Sequence, residues 1–277
     1  MNNRTKIINF YFIKKLAFFL ITFLLIILII INIRLSHNCL YESQCYDDSI
    51  HENIENKLFE MSIKLNKAMQ TIGRLKCEID KSFNHIWPRG DWCFVGNLQH
   101  KNMTQYRTDL RLAKALSHFL KDKIVASFGD GRGIYKEIID ELNEVILYDA
   151  FDGSPYAELN SKGNVKFLDL TIPIYHLDQY DWVLSIGVGQ HIPIESENVY
   201  LDNLKKHAKE GIILSWGRQD QAGFSNLNER NFDYVKFKLE SIGFKHDLKA
   251  SIYLKNRSEL NWIKENINVF RKKLIYK

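Results

Sequence analysis

Two periodicities divide the chain. Apolar residues recur at Ile54, Leu58, Met61, Leu65, Ala68, Ile72, Leu75 and Ile79, with spacings that alternate between four and three. This repeat predicts a helix over about 50–80 with one apolar stripe, a membrane-proximal stem that pairs two chains or packs on its own domain. Pro88-Arg89-Gly90 then predicts a break. From about residue 104 the pattern changes to short apolar runs between helical segments. Tyr106–Lys121 reads as a helix, with Leu110, Ala113, Leu116 and Leu120 at core spacing. Strands are expected at Ile124–Phe128, at Val145–Tyr148 ending on Asp149, at Val165–Leu168 ending on Asp169, at Trp182–Ile186 and at Ile212–Ser215. Helices are expected through Leu142, at Glu195–Lys209 and at Asn228–Ile242, with late strands near Phe244–Leu248 and Ser251–Leu254. Strands alternating with helices predict an α/β fold with a doubly wound, mostly parallel sheet.

A third pattern lies upstream. Residues 16–33 hold 18 residues without a charge, and only Thr22 and Asn32 are polar. As a helix this run spans about 27 Å, enough for a thin bilayer. No small-x-small cleavage pattern follows it, so a retained signal anchor is expected. Arg4, Lys6, Lys14 and Lys15 precede the run, whereas Glu42, Asp47 and Asp48 follow it. The positive-inside rule places the N-terminus in the cytosol and the bulk of the chain across the membrane. The expectation is a type II protein with a luminal or extracellular domain. Its parts are a tail at 1–15, an anchor at 16–33, a stem at 34–103 and a globular domain at 104–277.

Composition adds limits. The chain has 277 residues and a net charge of +5. Five basic residues and no acid fall before residue 35, and they account for the whole excess of 38 basic over 33 acidic residues. A broad nucleic-acid-binding face is therefore not expected. Cys39, Cys45, Cys77 and Cys93 allow two disulfides in an oxidising lumen, with the pairing open. Cys77, within the heptad helix, could instead link two chains. No metal-ligand spacing is found. Asn102 and Asn256 begin glycosylation sequons.

The chemistry concentrates at Gly129-Asp130-Gly131-Arg132-Gly133, directly after the first strand. Glycines there let the backbone turn tightly and approach a ligand. The following helix offers free amides at its N-terminus. Asp149, 20 residues after Gly129, is placed to receive ribose hydroxyls. Asp152-Gly153 reads as a loop turn. His191, after the fourth strand, has the ordinary pKa range of a general base. Trp216, Arg218 and Asp220, after the fifth strand, are candidates for an acceptor-facing edge.

These segments together resemble the class I S-adenosylmethionine-dependent methyltransferases. The matching stretches are Ser127–Gly133, Leu147-Tyr148-Asp149, Phe167–Leu170, Tyr180–Ile186 with Gly189–Pro193, and Glu240–Phe244. The likeness is firm from Ile124 to Trp216, looser to about Lys272, and does not cover residues 1–103. It implies a seven-stranded methyltransferase-like sheet, S-adenosylmethionine as cofactor, and cofactor contacts from Ser127, Gly129, Asp130, Gly131, Gly133, Asp149, Ala150, Asp169, Leu170 and Ser185. The acceptor would be a small molecule, a glycan or a lipid. Two departures stand out. Ser127 occupies the position of the family's first-motif acid, with Asp130 three residues on as its substitute. Gln190 replaces the glutamate that precedes His191. Both leave a non-catalytic binding module as an alternative. Asp149-Ala150-Phe151-Asp152 leaves a metal-dependent glycosyltransferase as another.

Overall fold

The computed structural model describes residues 52–79, 93, 108–219, 221 and 226–273. Residues 59–277 form one compact unit. Of the unit before it, residues 1–58, only the start of the heptad helix is described, from residue 52. The expected tail, the anchor at 16–33, Cys39, Cys45 and Asn102 all lie outside the described residues. Among the described residues, no helix is long and apolar enough to cross a membrane.

Seven strands form one sheet in the order β3-β2-β1-β4-β5-β7-β6. They are β1 (Ile124–Phe128), β2 (Leu147–Asp152), β3 (Val165–Phe167), β4 (Tyr180–Ile186), β5 (Ala208–Ser215), β6 (Phe244–His246) and β7 (Ile267–Lys272). The first five run parallel, and β7 inserts antiparallel between β5 and β6. The expected doubly wound, mostly parallel seven-stranded sheet is thus present. From β1 the chain winds outward to β3 on one side and, through β4, to β5 on the other. The reversal point lies between β1 and β4, where such sheets open a crevice at their carboxyl ends.

Period-two alternation fills both faces of the sheet. Ala126, Phe128, Val183, Ile212 and Leu214 point to one face, where they meet Tyr200, Leu201 and Leu204 of α5 (Glu197–His207). Val125, Trp182, Leu184 and Ile213 point to the other. They meet Leu112 and Leu116 of α2 (Leu110–Phe119), Ile139 of α3 (Ile134–Leu142) and Leu254 of α7 (Leu248–Lys255). α4 (Ala157–Asn160), α6 (Phe232–Ser241) and α8 (Asn261–Lys264) complete the set.

Several boundaries differ from the sequence expectation, and one has consequences for the site. β2 begins later than expected and continues past Asp149 to Asp152, because Ala150, Phe151 and Asp152 pair with Val165, Lys166 and Phe167. The expected strand at Ser251–Leu254 is instead part of α7. Asp247 caps that helix by accepting from the Ala250 amide at 3.0 Å. Ala250, Ser251 and Leu254 are its buried positions, a helical and not an alternating spacing. The final strand, Ile267–Lys272, lies further on and was not anticipated.

The heptad helix, α1 (residues 52–79), uses an unexpected face. Polar side chains tie it to the rest of the compact unit. Ser62 accepts from the Tyr175 amide at 2.9 Å and lies 2.8 Å from His176 Nδ1. Asn66 donates to the Phe167 carbonyl and accepts from the Asp169 amide, both at 3.0 Å. Gln70 and Arg74 donate to the Pro155 carbonyl at 3.2 and 3.0 Å. Gly73 allows the closest approach, since a Cβ there would lie 2.5 Å from Pro155 Cγ. Cys77 is buried and bonded to Cys93 of the same chain, so it does not link two chains. The compact unit therefore begins within the stretch expected as stem, because this polar ladder ties the helix to the ends of β2 and β3.

Candidate functional site

The carboxyl ends of β1, β2 and β4 open into a cavity of about 530 Å³. Its floor is the glycine loop. Gly129 and Asp130 donate from their amides to the Phe151 carbonyl at 2.8 and 2.9 Å, which folds the loop back over β2. Gly129 has φ of +103°, and a Cβ there would lie 2.2 Å from Val188 Cγ2. Gly131 also has positive φ, +62°, but nothing lies within 4 Å of a Cβ built on it. Its open side is the space a close ligand would use. Gly133 does different work. A Cβ there would lie 2.8 Å from Val165 Cγ2, so it serves packing between α3 and the sheet.

Asp152, the last residue of β2, stands beside this loop. Its Oδ2 accepts from the Gly131 amide at 2.9 Å and its Oδ1 from the Ser154 amide at 2.8 Å. Burial pushes its carboxyl up, and the two amides and the charge of His191 oppose that rise. Asp149 lies elsewhere: its Oδ2 accepts from the Tyr180 hydroxyl at 3.0 Å, and it is not among the residues around the cavity. The strand runs three residues further than expected, so the acid at its carboxyl end is Asp152. Asp149 and Asp152 engage different partners and do not converge as a metal-binding pair. Among the described residues, no group of His, Cys, Asp or Glu could hold a metal ion.

The other expected residues divide in the same way. Gly129, Asp130, Gly131, Asp169, Leu170 and His191 line the cavity. Asp169 Oδ1 accepts from the amide and hydroxyl of Thr171 at 2.8 and 2.6 Å, which closes the turn after β3. His191 sits on a short helical turn, Gly189–His191. Ser127, Gly133, Ala150 and Ser185 are not at the cavity wall. Ala150 is buried within β2, between its partners Ser127 and Val165. Ser185 is fully buried, donates to the Phe128 carbonyl at 3.1 Å and lies 2.8 Å from the Tyr200 hydroxyl. Trp216 donates to the Asn228 carbonyl at 2.6 Å, and Arg218 pairs with Glu265 at 3.2 Å. Neither lines the cavity. Asp220 lies outside the described residues.

The two departures have local accounts. Asp130 is buried, with Oδ1 accepting from the Tyr148 hydroxyl at 2.9 Å and Oδ2 from the Lys136 amide at 3.3 Å. Burial raises its carboxyl, with Ser127, Tyr148 and the Lys136 amide pulling against the rise. Ser127 and Asp130 thus belong to one buried polar cluster that seats the start of α3. At position 190, Gln190 Nε2 donates to the Gly187 carbonyl at 3.0 Å while Oε1 accepts from the Gly217 amide at 3.1 Å. An amide can do both at once, and an ionised carboxylate cannot.

Part of the cavity wall had no place in the sequence reading of the site. Met69, Ile72, Gly73, Lys76 and Cys77 of α1, with Cys93 and Trp262, complete it. Ser62, Asn66, Gln70, Gly73 and Cys77, spaced by four, four, three and four, form a second face on the heptad helix. That spacing was the available signal.

No family model matches this chain, and no curated protein matches it. Solved structures do resemble it. The 1,6-didemethyltoxoflavin-N1-methyltransferase of Burkholderia thailandensis, solved with S-adenosylhomocysteine, is 17% identical at a TM-score of 0.44, covering 63% of this chain and 82% of that one. Magnesium protoporphyrin IX methyltransferase of Synechocystis PCC 6803, also with S-adenosylhomocysteine, is 14% identical at 0.43, covering 60% and 83%. The cyclase SpnF is 12% identical at 0.44, covering 60% and 81%. Likenesses this distant carry nothing about what this chain does.

Proposed function

We propose that this chain is an S-adenosylmethionine-dependent methyltransferase, anchored by residues 16–33 and acting in the lumen or outside the cell as a homodimer through α1. The observation that carries the cofactor reading is the join of Gly131 to Asp152 at the floor of the cavity. The open side of Gly131 accommodates a ligand backbone or carboxylate, and Asp152 is an acceptor for ribose hydroxyls at the strand end. Asp169 and Leu170 line the neighbouring wall, where the family's adenine lies. The ribose role is thus assigned to Asp152 and not to Asp149.

When bound, S-adenosylmethionine supplies an electrophilic methyl group. The chain's own part is to hold the acceptor in line and to exclude water, which the apolar wall of Met69, Ile72, Val188, Ile192 and Trp262 supports. For a hydroxyl acceptor, His191 would take the departing proton. The acceptor is proposed as a small molecule, glycan or lipid. The Cys77–Cys93 bond is consistent with an oxidising compartment.

Calorimetric titration of S-adenosylmethionine and S-adenosylhomocysteine into the full chain in detergent tests this. The expected result is saturable binding that Asp152→Ala weakens by about 10- to 100-fold and Asp149→Ala keeps. Folded protein that binds neither compound would overturn the reading and favour a module for another ligand.

A further inference from the structure

Helix α1 carries its apolar heptads on a face that the compact unit does not use. Met61, Leu65, Ile72 and Leu75 are between 43% and 65% exposed. The buried or half-buried positions are instead Ser62, Asn66, Met69, Gln70, Gly73 and Cys77. An amphipathic helix ordinarily buries its apolar stripe against its own core. Here the polar side is docked and the stripe is left to something else.

We infer that a second copy of this chain covers the stripe as a parallel two-stranded coiled coil, and that this pairing steadies the cavity wall. The stripe is self-complementary. Leu58, Leu65, Ile72 and Ile79 fall at one heptad position, and Ile54, Met61, Ala68 and Leu75 at the other. In parallel register Lys57, Lys64 and Thr71 come alongside positions 62, 69 and 76 of the partner; Ser62 and Met69 are docked on their own unit, which leaves Lys76 beside Thr71, so no like charges meet. The helix is about 42 Å long at 1.5 Å per residue, four heptads, enough to sustain such a pair. The chain before the helix favours the same direction. Its apolar run ends at Ile33, with 18 residues between it and the first described residue of the helix, so two chains anchored in one membrane enter the pair side by side. Only the direction rests on the proposed anchor.

The second half of the inference follows from shared residues. Asn66 lies one residue from Leu65 and holds both Phe167 and Asp169. Ile72 belongs to the stripe and also lines the cavity. A partner that immobilises the stripe therefore immobilises the wall.

The test uses the full-length chain in detergent with Cys39→Ser and Cys45→Ser in the background. Under mild oxidation, Leu58→Cys is expected to give a disulfide-linked dimer and Asn56→Cys, on the outward face, is not. Equal linking at both sites, or none at either, would overturn the parallel seam. Sedimentation should show a dimer that Leu65→Lys converts to a monomer that still unfolds cooperatively, at a lower midpoint because pairing no longer stabilises the folded chain. A monomeric wild type, or a dimer that survives the substitution, overturns the pairing. Hydrogen exchange at Phe167–Asp169 should quicken about tenfold in Leu65→Lys, the sign of a locally loosened wall. Unchanged exchange would show that pairing and wall are independent. None of these readouts needs the cofactor, so they fail separately from the methyltransferase reading. If Leu65→Lys does not fold, the cross-linking pair still decides.

Discussion

The Gly131 amide donates to Asp152 at 2.9 Å, joining the loop after β1 to the end of β2. A carboxylate held by backbone amides is preorganised to receive further hydrogen bonds on its remaining lone pairs. Asp152→Ala should weaken S-adenosylhomocysteine binding by about 10- to 100-fold, the range for hydrogen bonds to a charged group. Asp149→Ala should leave affinity nearly unchanged and lower stability by about 1 kcal/mol, through loss of the Tyr180 bond. Calorimetry and denaturant unfolding of both variants separate the two effects.

Two glycines of the loop should respond differently to alanine. At Gly129 the new Cβ meets Val188, so Gly129→Ala should lower stability by about 2–3 kcal/mol. At Gly131 the Cβ meets nothing, and only the strained φ is felt, about 1 kcal/mol. Its Cβ would enter the ligand's space, so Gly131→Ala should lose at least about tenfold in affinity while staying folded. Similar affinity for Gly131→Ala and wild type would remove the loop from the binding surface.

Asn66 spans the end of β3 with one amide, and Gln70 docks one turn further along. Asn66→Ala should cost about 1–2 kcal/mol in stability, since it leaves a half-buried carbonyl and amide without this partner. It should also weaken cofactor binding more than Gln70→Ala does, because only Asn66 holds the backbone of Asp169. Equal effects on affinity would mean that both residues act merely by docking the helix.

Glu197 is buried and accepts from Asn228, Arg230 and Tyr234, with Lys238 at 3.4 Å. Burial pushes its carboxyl up, but these donors outweigh burial and hold it below the ordinary 4.5. A depressed carboxylate contributes stability above its unfolded value, and that contribution is lost as pH falls through the folded value. Wild-type stability should therefore decline below pH 4.5 in a step that Glu197→Gln lacks. At neutral pH the substitution should cost about 3 kcal/mol, since it leaves Arg230 and Lys238 uncompensated. Urea midpoints across pH 3 to 7 would show whether the step is there.

The sheet was legible because its signals are local. Alternation in β1 and β4 and the glycine loop need only neighbouring residues. What escaped depends on distant partners. β2 runs to Asp152 because β3 pairs with its end, and nothing in Phe151-Asp152-Gly153 separates a strand end from a turn. The reading of Ser251–Leu254 as a strand failed because Ile252 and Tyr253 have strand preference, whereas Asp247 and the buried Leu254 fix a helix. For α1 the stripe was read and the opposite face was not. Ser62, Asn66 and Gln70 look like solvent-facing residues until the ends of β2 and β3 are placed beneath them.

That opposite face bears on where this protein can be cut. A fragment starting at residue 80 or 104 would keep every strand of the sheet and every glycine of the loop. It would also strip the partner from the Phe167 carbonyl and the Asp169 amide, lose Cys77 and with it the disulfide, and leave the cavity open along one flank. Such a fragment could keep its fold and lose its ligand. The boundary of the working domain lies inside the helix, upstream of Ser62.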